Sequence, residues 1–96
     1  MLIRSQNKEV LATLELLFDI EVSGGVISAR KDMGWCCLLG EYSTKAKAMK
    51  VLDMIQEAYS EYQIMLNFSV SYLHEFKEKT DGFAIFQMPE DSDVEV

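Results

Sequence analysis

From Thr44 to Lys79 the chain runs for 36 residues without a glycine or a proline. No other feature constrains the fold as strongly, because those two residues are the usual interrupters of helices. Within the run, Ala48, Val51, Ile55, Ala58, Tyr62, Met65, Ser69, Tyr72 and Phe76 recur at alternating spacings of three and four. That is the stripe one face of a helix buries. Ser43 or Thr44 ahead of it is a natural N-cap, and Gly82 behind it suits a helix C-terminus. An unbroken helix of this length would measure ~54 Å. A domain of this size has a radius of gyration of only ~13 Å. Such a helix overhangs its own sheet and needs a partner chain or a bend. Asn67-Phe68-Ser69-Val70-Ser71-Tyr72 alternates like a strand, which places a helix break near Asn67.

The segments on either side read as strands. Met1-Leu2-Ile3-Arg4 is a short apolar start suited to an edge strand, and Ser5-Gln6-Asn7-Lys8 is a turn by composition. Apolar residues then occupy the even positions Val10, Ala12, Leu14, Leu16, Phe18, Ile20 and Val22, a period of two. Val10, Leu11, Leu14, Leu17 and Phe18 also fit a helical stripe, and strand is preferred, most clearly over 16–22. Ser23-Gly24-Gly25 is the clearest turn, since paired glycines accept the positive φ of tight hairpins. Val26–Lys31 is the return strand, and Asp32-Met33-Gly34 turns into Trp35-Cys36-Cys37-Leu38-Leu39. That last stretch is apolar on both faces and so reads as central or helix-covered. Phe83–Met88 is a final strand, which a crossover can return to the same sheet. The expected fold is α+β. It has an antiparallel sheet of about five strands, with one long helix, or a broken pair, between the meander and the last strand.

Ninety-six residues hold one domain. The net charge of −7 opposes direct nucleic-acid binding, which needs clustered cations. Four acids and no base fall in 90–96, leaving 12 acids and 9 bases, net −3, in 1–89. We therefore expect a single domain over 1–89, closed by Pro89, and an acidic, flexible, solvated tail over 90–96. An acidic docking tail is the minority reading. No apolar run spans a membrane and no signal region precedes Ser5. Two adjacent cysteines make no disulfide scaffold, which suits a reducing cytoplasm.

Several stretches carry a resemblance. They are Met1-Leu2-Ile3-Arg4-Ser5-Gln6-Asn7-Lys8, then Leu39-Gly40-Glu41-Tyr42-Ser43-Thr44 followed by Ala48, Val51-Leu52-Asp53 and Ile55-Gln56-Glu57-Ala58-Tyr59, and finally Phe86-Gln87-Met88-Pro89. Together they resemble small proteins encoded in phages and prophages of Gram-positive bacteria. The likeness covers roughly half the chain and includes no catalytic motif. It implies a phage accessory protein in a host bacterial cytoplasm, a setting that often means host takeover or defence evasion. The link between helix and last strand is shorter in such proteins, so residues 60–82 read as an extension.

Chemistry-bearing residues are sparse. Walker, GxGxxG, HExxH, CxxC and GxSxG patterns are all missing. A Cys36 or Cys37 thiolate with His74, the one histidine, would make a dyad without an orienting third group. Cysteines in an apolar strand more often behave as buried hydrophobes. Adjacent strand residues also point to opposite faces, which defeats a zinc site, so no metal or cofactor is expected. Asp53, Glu57 and Glu61 share one helical face, and a solvated face is the simpler reading. Lys45, Lys47 and Lys50 crowd the helix start, where cations oppose the helix dipole. With Thr44 they could hold an anionic group, although a solubilising face is the blander account. Arg4 and Arg30 fall in predicted strands, where Trp35 or Tyr42 could lie nearby, and guanidinium with aromatic is a recipe for nucleotide or interface recognition. Edge-strand ion pairs are their bland counterpart.

The candidate ligand site is therefore Arg4, Arg30, Trp35, Thr44, Lys45 and Lys47. Tyr59, Tyr62, Met65, Phe68, Tyr72 and Phe76 are too many aromatic and Met side chains for one small sheet to cover. They mark a candidate oligomer interface, with an intramolecular core as the alternative. The functional expectation is a non-enzymatic binding protein that is homo-oligomeric. It would sequester a small anionic, nucleotide-like host signal or block a host protein, with no membrane partner. A purely structural assembly module is the alternative, and a thiol-dependent enzyme the weaker one.

Overall fold

A computed structural model describes residues 1–31, 36–67 and 85–95. Its fold is α+β. Six strands are described: β1 Leu2–Arg4, β2 Leu11–Thr13, β3 Asp19–Ser23, β4 Val26–Arg30, β5 Cys36–Glu41 and β6 Ile85–Gln87. Helix α1, Lys45–Asn67, follows β5. Short 3-10 turns occupy Leu14–Leu16 and Asp91–Asp93.

The strands form two sheets of three rather than one of five, ordered β2-β1-β6 and β3-β4-β5. The β3-β4-β5 meander is antiparallel throughout, as the alternation and turns predict. Gly24 and Gly25 join β3 to β4, and Gly24 takes a φ of +60°. A Cβ on Gly25 would lie 2.1 Å from the Tyr42 carbonyl oxygen, so only glycine lets that backbone approach.

Three expectations are corrected. The first strand is central, not an edge: β1 pairs antiparallel with β2 and parallel with β6, and Ile3 is fully buried. The crossover through α1 does not return to its own sheet, because β6 joins β1. Finally, β5 is neither central nor helix-covered over its first half. Helix α1 packs on β3 and β4, so Cys36 and Leu38 remain exposed while Leu39 and Gly40 are buried.

The first half of the helix stripe meets the sheet, with Ala48, Val51 and Ile55 almost wholly buried. They close a core with Ile3, Ile27, Ala29, Leu39, Tyr42 and Met88. Gln6 ties the two sheets together. Its backbone nitrogen donates to the Leu39 carbonyl at 2.7 Å. Its side chain accepts from the Glu41 nitrogen at 2.9 Å and donates to the Glu41 carbonyl at 3.0 Å. One primary amide thus takes the place of a strand residue where the two sheets meet.

The solvated-tail expectation for 90–96 is also corrected. Val94 is 4% exposed and belongs to the core, and residues 88–94 lie against the start of α1. Four acids in a row of seven hid one apolar side chain that the domain buries. The described helix reaches Asn67, and its expected continuation to Lys79 lies outside the described residues.

Candidate functional site

Helix α1 begins where the sequence places it. Thr44 Oγ1 accepts a hydrogen bond from the Lys47 backbone nitrogen at 3.1 Å, the bond of an N-capping threonine. An anion does sit at this helix start, and it is the chain's own. Asp91 Oδ1 accepts from the Ser43 backbone nitrogen at 2.7 Å. Lys47 Nζ donates to the Asp91 carbonyl at 3.1 Å and lies 3.5 Å from Asp91 Oδ2. The Ser43 hydrogen bond, with Lys47 adding to it, holds the Asp91 carboxyl below the usual carboxylate range.

The strap from Met88 to Val94 has two further ties. Tyr42 donates its hydroxyl to the Pro89 carbonyl at 2.8 Å, and Gln6 Nε2 donates to the same oxygen at 3.3 Å. Burial, with Glu90 and Asp91 nearby, pushes the Tyr42 hydroxyl up to about 12. The strap therefore joins the first strand region, the helix start and the C-terminal residues in one hydrogen-bonded unit.

The expected ligand residues do not converge. Thr44, Lys45 and Lys47 share the helix start, and Lys45 is exposed. Arg30, in the β3-β4-β5 sheet, pairs with Glu21 at 2.9 Å and approaches Asp19 at 3.9 Å. Arg4, in the other sheet, donates from Nε to the Lys8 carbonyl at 3.0 Å. Both arginines thus have local structural partners, and Trp35 lies outside the described residues.

Among the expected interface residues, Tyr59 and Tyr62 pack half-buried against the core, with ring centroids 6.3 Å apart. Gln63 Nε2 donates to the Tyr59 hydroxyl at 2.9 Å. Met65 is half-buried. Phe68, Tyr72 and Phe76 lie outside the described residues, as does His74. Cys36 is exposed and Cys37 half-buried, so the expectation of two buried thiols holds for neither. Asp53, Glu57 and Glu61 are exposed, a solvated helix flank. Among the described residues no group of three His, Cys, Asp or Glu could hold a metal ion. None of the described helices is long and apolar enough to cross a membrane.

Sequence reasoning missed one surface. Leu16 and Phe18, on the apolar side of the period-two pattern, are 75% and 73% exposed. The 3-10 turn at Leu14–Leu16 breaks the alternation and turns both side chains outward, while Leu14 and Leu17 pack on the core. They line an open dish with Glu15 and Lys31. Lys31 also borders a neighbouring groove lined by Val10, Leu11, Ala12, Cys36 and Cys37. That groove holds about 180 Å³, below the ~300 Å³ at which small-molecule pockets begin. It is sized for a side chain. The interruption was latent in the competing helical pattern over 10–18, which strand periodicity alone could not absorb.

Fold and surface together define a small α+β protein with a self-occupied anion position at its helix start and apolar side chains left outside its core. No family model, curated protein or solved structure matches the chain.

Proposed function

We propose that the chain is a non-catalytic accessory protein of the phage type its sequence resembles. It acts in the host bacterial cytoplasm by binding, its target is a host protein, and its working unit is a homo-oligomer. Blocking that target would serve host takeover or defence evasion.

The observation that carries this reading is the placement of apolar surface. Leu11, Leu16 and Phe18 are exposed on the strand side, and Ile64 and Leu66, 56% and 57% exposed, at the far end of α1. Leu16 and Phe18 share one dish, and contiguous apolar groups left uncovered mark interaction sites, whereas Ile64 and Leu66, two residues apart, stand on different sides of the helix. Leu66 lies on the same helical stripe as Ala48 and Ile55, yet it stands beyond the sheet that buries them. Two separate apolar surfaces suit a protein that meets both itself and a target. We assign the helix end to the target. A small anionic signal is the less favoured ligand, because Arg30 is paired with acids and Asp91 already fills the helix start.

The test is capture from a Gram-positive host lysate by the wild type and by an Ile64→Glu, Leu66→Glu double variant, with circular dichroism confirming that both fold. A host protein held by the wild type and lost by the variant supports the reading. Equal capture by both removes the helix end from the target site. A thermal shift with nucleotides or cyclic dinucleotides would turn the reading to sequestration of a small ligand, since ligand at ~100 times its Kd stabilises by ~2.7 kcal/mol.

A further inference from the structure

We infer that the dish formed by Glu15, Leu16, Phe18 and Lys31 is a two-fold interface covered by a second copy of this chain. This rests on the homo-oligomer of the proposed function and names its interface, and it shares no residue with the helix end assigned to the target.

The backbone fixes the dish. Leu17 donates its nitrogen to the Leu14 carbonyl at 3.1 Å, and Phe18 donates to the Arg30 carbonyl at 2.8 Å. These bonds extend the β3–β4 pairing by one step and set residues 15–18 beside Lys31. Leu17 packs inward on the core, so its neighbours Leu16 and Phe18 must point out. The exposure of the two side chains is a consequence of hydrogen-bonded geometry rather than of a loose loop.

The charges at the dish identify the occupant. A two-fold interface puts the same patch on both sides, so each group must find its complement within that patch. Glu15 and Lys31 are of opposite sign and flank the same two apolar side chains. Rotation about an axis through the dish sets Lys31 against Glu15 of the partner subunit, twice. Glu15 Oε1 takes the Met1 amine, while Oε2 has no partner among the described residues. The adjoining groove beside Lys31 then takes an apolar side chain of the partner subunit.

Sedimentation velocity over a concentration series, with circular dichroism on every variant, tests this. The wild type is expected to dimerise and Phe18→Glu to be monomeric. Leu16→Ser serves as a second apolar variant should Phe18→Glu fail to fold. Glu15→Lys and Lys31→Glu should each weaken self-association roughly tenfold, because each places like charges across the axis. Mixing those two variants should restore the dimer, since each then supplies the sign the other lacks. A wild-type monomer at high micromolar concentration overturns the inference. So does a dimer that survives both apolar substitutions, or a mixture no tighter than its components. Loss of host capture without loss of the dimer would instead count against the helix-end assignment alone.

Discussion

The Asp91 carboxylate accepts a 2.7 Å hydrogen bond from the backbone nitrogen of Ser43, 48 residues earlier in the chain. Ser43 lies one residue before the Thr44 cap, so the carboxylate stands just outside the helix, at the end where its dipole favours an anion. Asp91 therefore does for α1 what an acidic residue of its own first turn would do. That turn contains none. Of the three lysines that looked misplaced at the helix start, Lys47 makes sense once Asp91 is present, because it pairs with it.

Asp91→Asn is accordingly expected to lower the melting temperature modestly at neutral pH and to raise hydrogen exchange at Ser43. The carboxyl is held below its ordinary value of 3.8 in the folded protein. A lowered folded value means that its contribution is present above the ordinary value and is lost as pH falls through the folded one. The gap between wild type and Asp91→Asn should therefore be constant from neutral pH down to about 4 and close below it. Thermal melts across that range measure it. A gap that persists unchanged in strong acid would contradict the ionic part of the argument.

Tyr42 has the opposite sign and a different window. Its hydroxyl is pushed up to about 12 from 10.0 by burial and by Glu90 and Asp91. Below pH 10 both the folded and unfolded states keep the proton. Between 10 and 12 the unfolded chain releases it first, so stability falls as pH rises. Tyr42→Phe should cost about 1 kcal/mol at neutral pH for the lost bond to Pro89. It should then lose stability more slowly than wild type above pH 10, by on the order of 2 kcal/mol across the window. Urea unfolding of both proteins at pH 8 and pH 11 gives the comparison.

What could be read from the sequence was local. Gly24-Gly25 announces its hairpin because positive φ is a property of one residue. Thr44 announces the helix start because its cap reaches only to Lys47. The stripe Ala48, Val51, Ile55 announces a buried face because 3.6-residue periodicity needs no knowledge of the partner surface. Most of the failures were of sequence separation, and one was local. Nothing near Leu2 says that it will lie beside Ile85, and nothing near Gln6 says that its amide will join Glu41. Val94 sits among acids whose charge dominated the reading of 90–96. At the candidate site, Thr44 and Lys47 were legible for the same local reason, while Asp91, their actual counterpart, was concealed in that run. Leu16 and Phe18 were placed on the apolar side of a two-residue period that was extended through a turn that breaks it.

The adjacent glycines separate two reasons for the same residue. At Gly24 a Cβ meets nothing within 4 Å, and only the φ of +60° resists substitution. Gly24→Ala should cost about 1–2 kcal/mol, the usual left-handed penalty, with Gly24→Asn milder. At Gly25 the added Cβ would overlap the Tyr42 carbonyl, whose residue donates its own nitrogen to the Gly25 oxygen at 2.7 Å. Backbone cannot step aside as a side chain can, so Gly25→Ala should cost more, about 3 kcal/mol or above. Denaturant midpoints that reverse this order would show that the β4–Tyr42 contact is adjustable.

Along helix α1 one stripe passes from core to surface, and paired truncations should trace the change. Ile55 is 3% exposed and joins the cluster that includes Ile27 and Leu39. Ile55→Ala removes buried methyl groups and leaves a cavity that rigid neighbours fill only in part. A loss of about 2–4 kcal/mol is expected. Leu66 is on the same face of the helix but 57% exposed. Leu66→Ala should cost under about 1 kcal/mol, since most of the removed surface was already in water. Urea unfolding at low protein concentration, where any association is minimal, gives both values. The same pair measured with a bound target should behave differently. Leu66→Ala should then lose affinity although it costs little stability, while Ile55→Ala should lose stability without a matching loss of affinity in the molecules that remain folded. A large intrinsic cost for Leu66→Ala would show that the stripe is buried beyond the sheet edge and that the helix end is core rather than a binding surface.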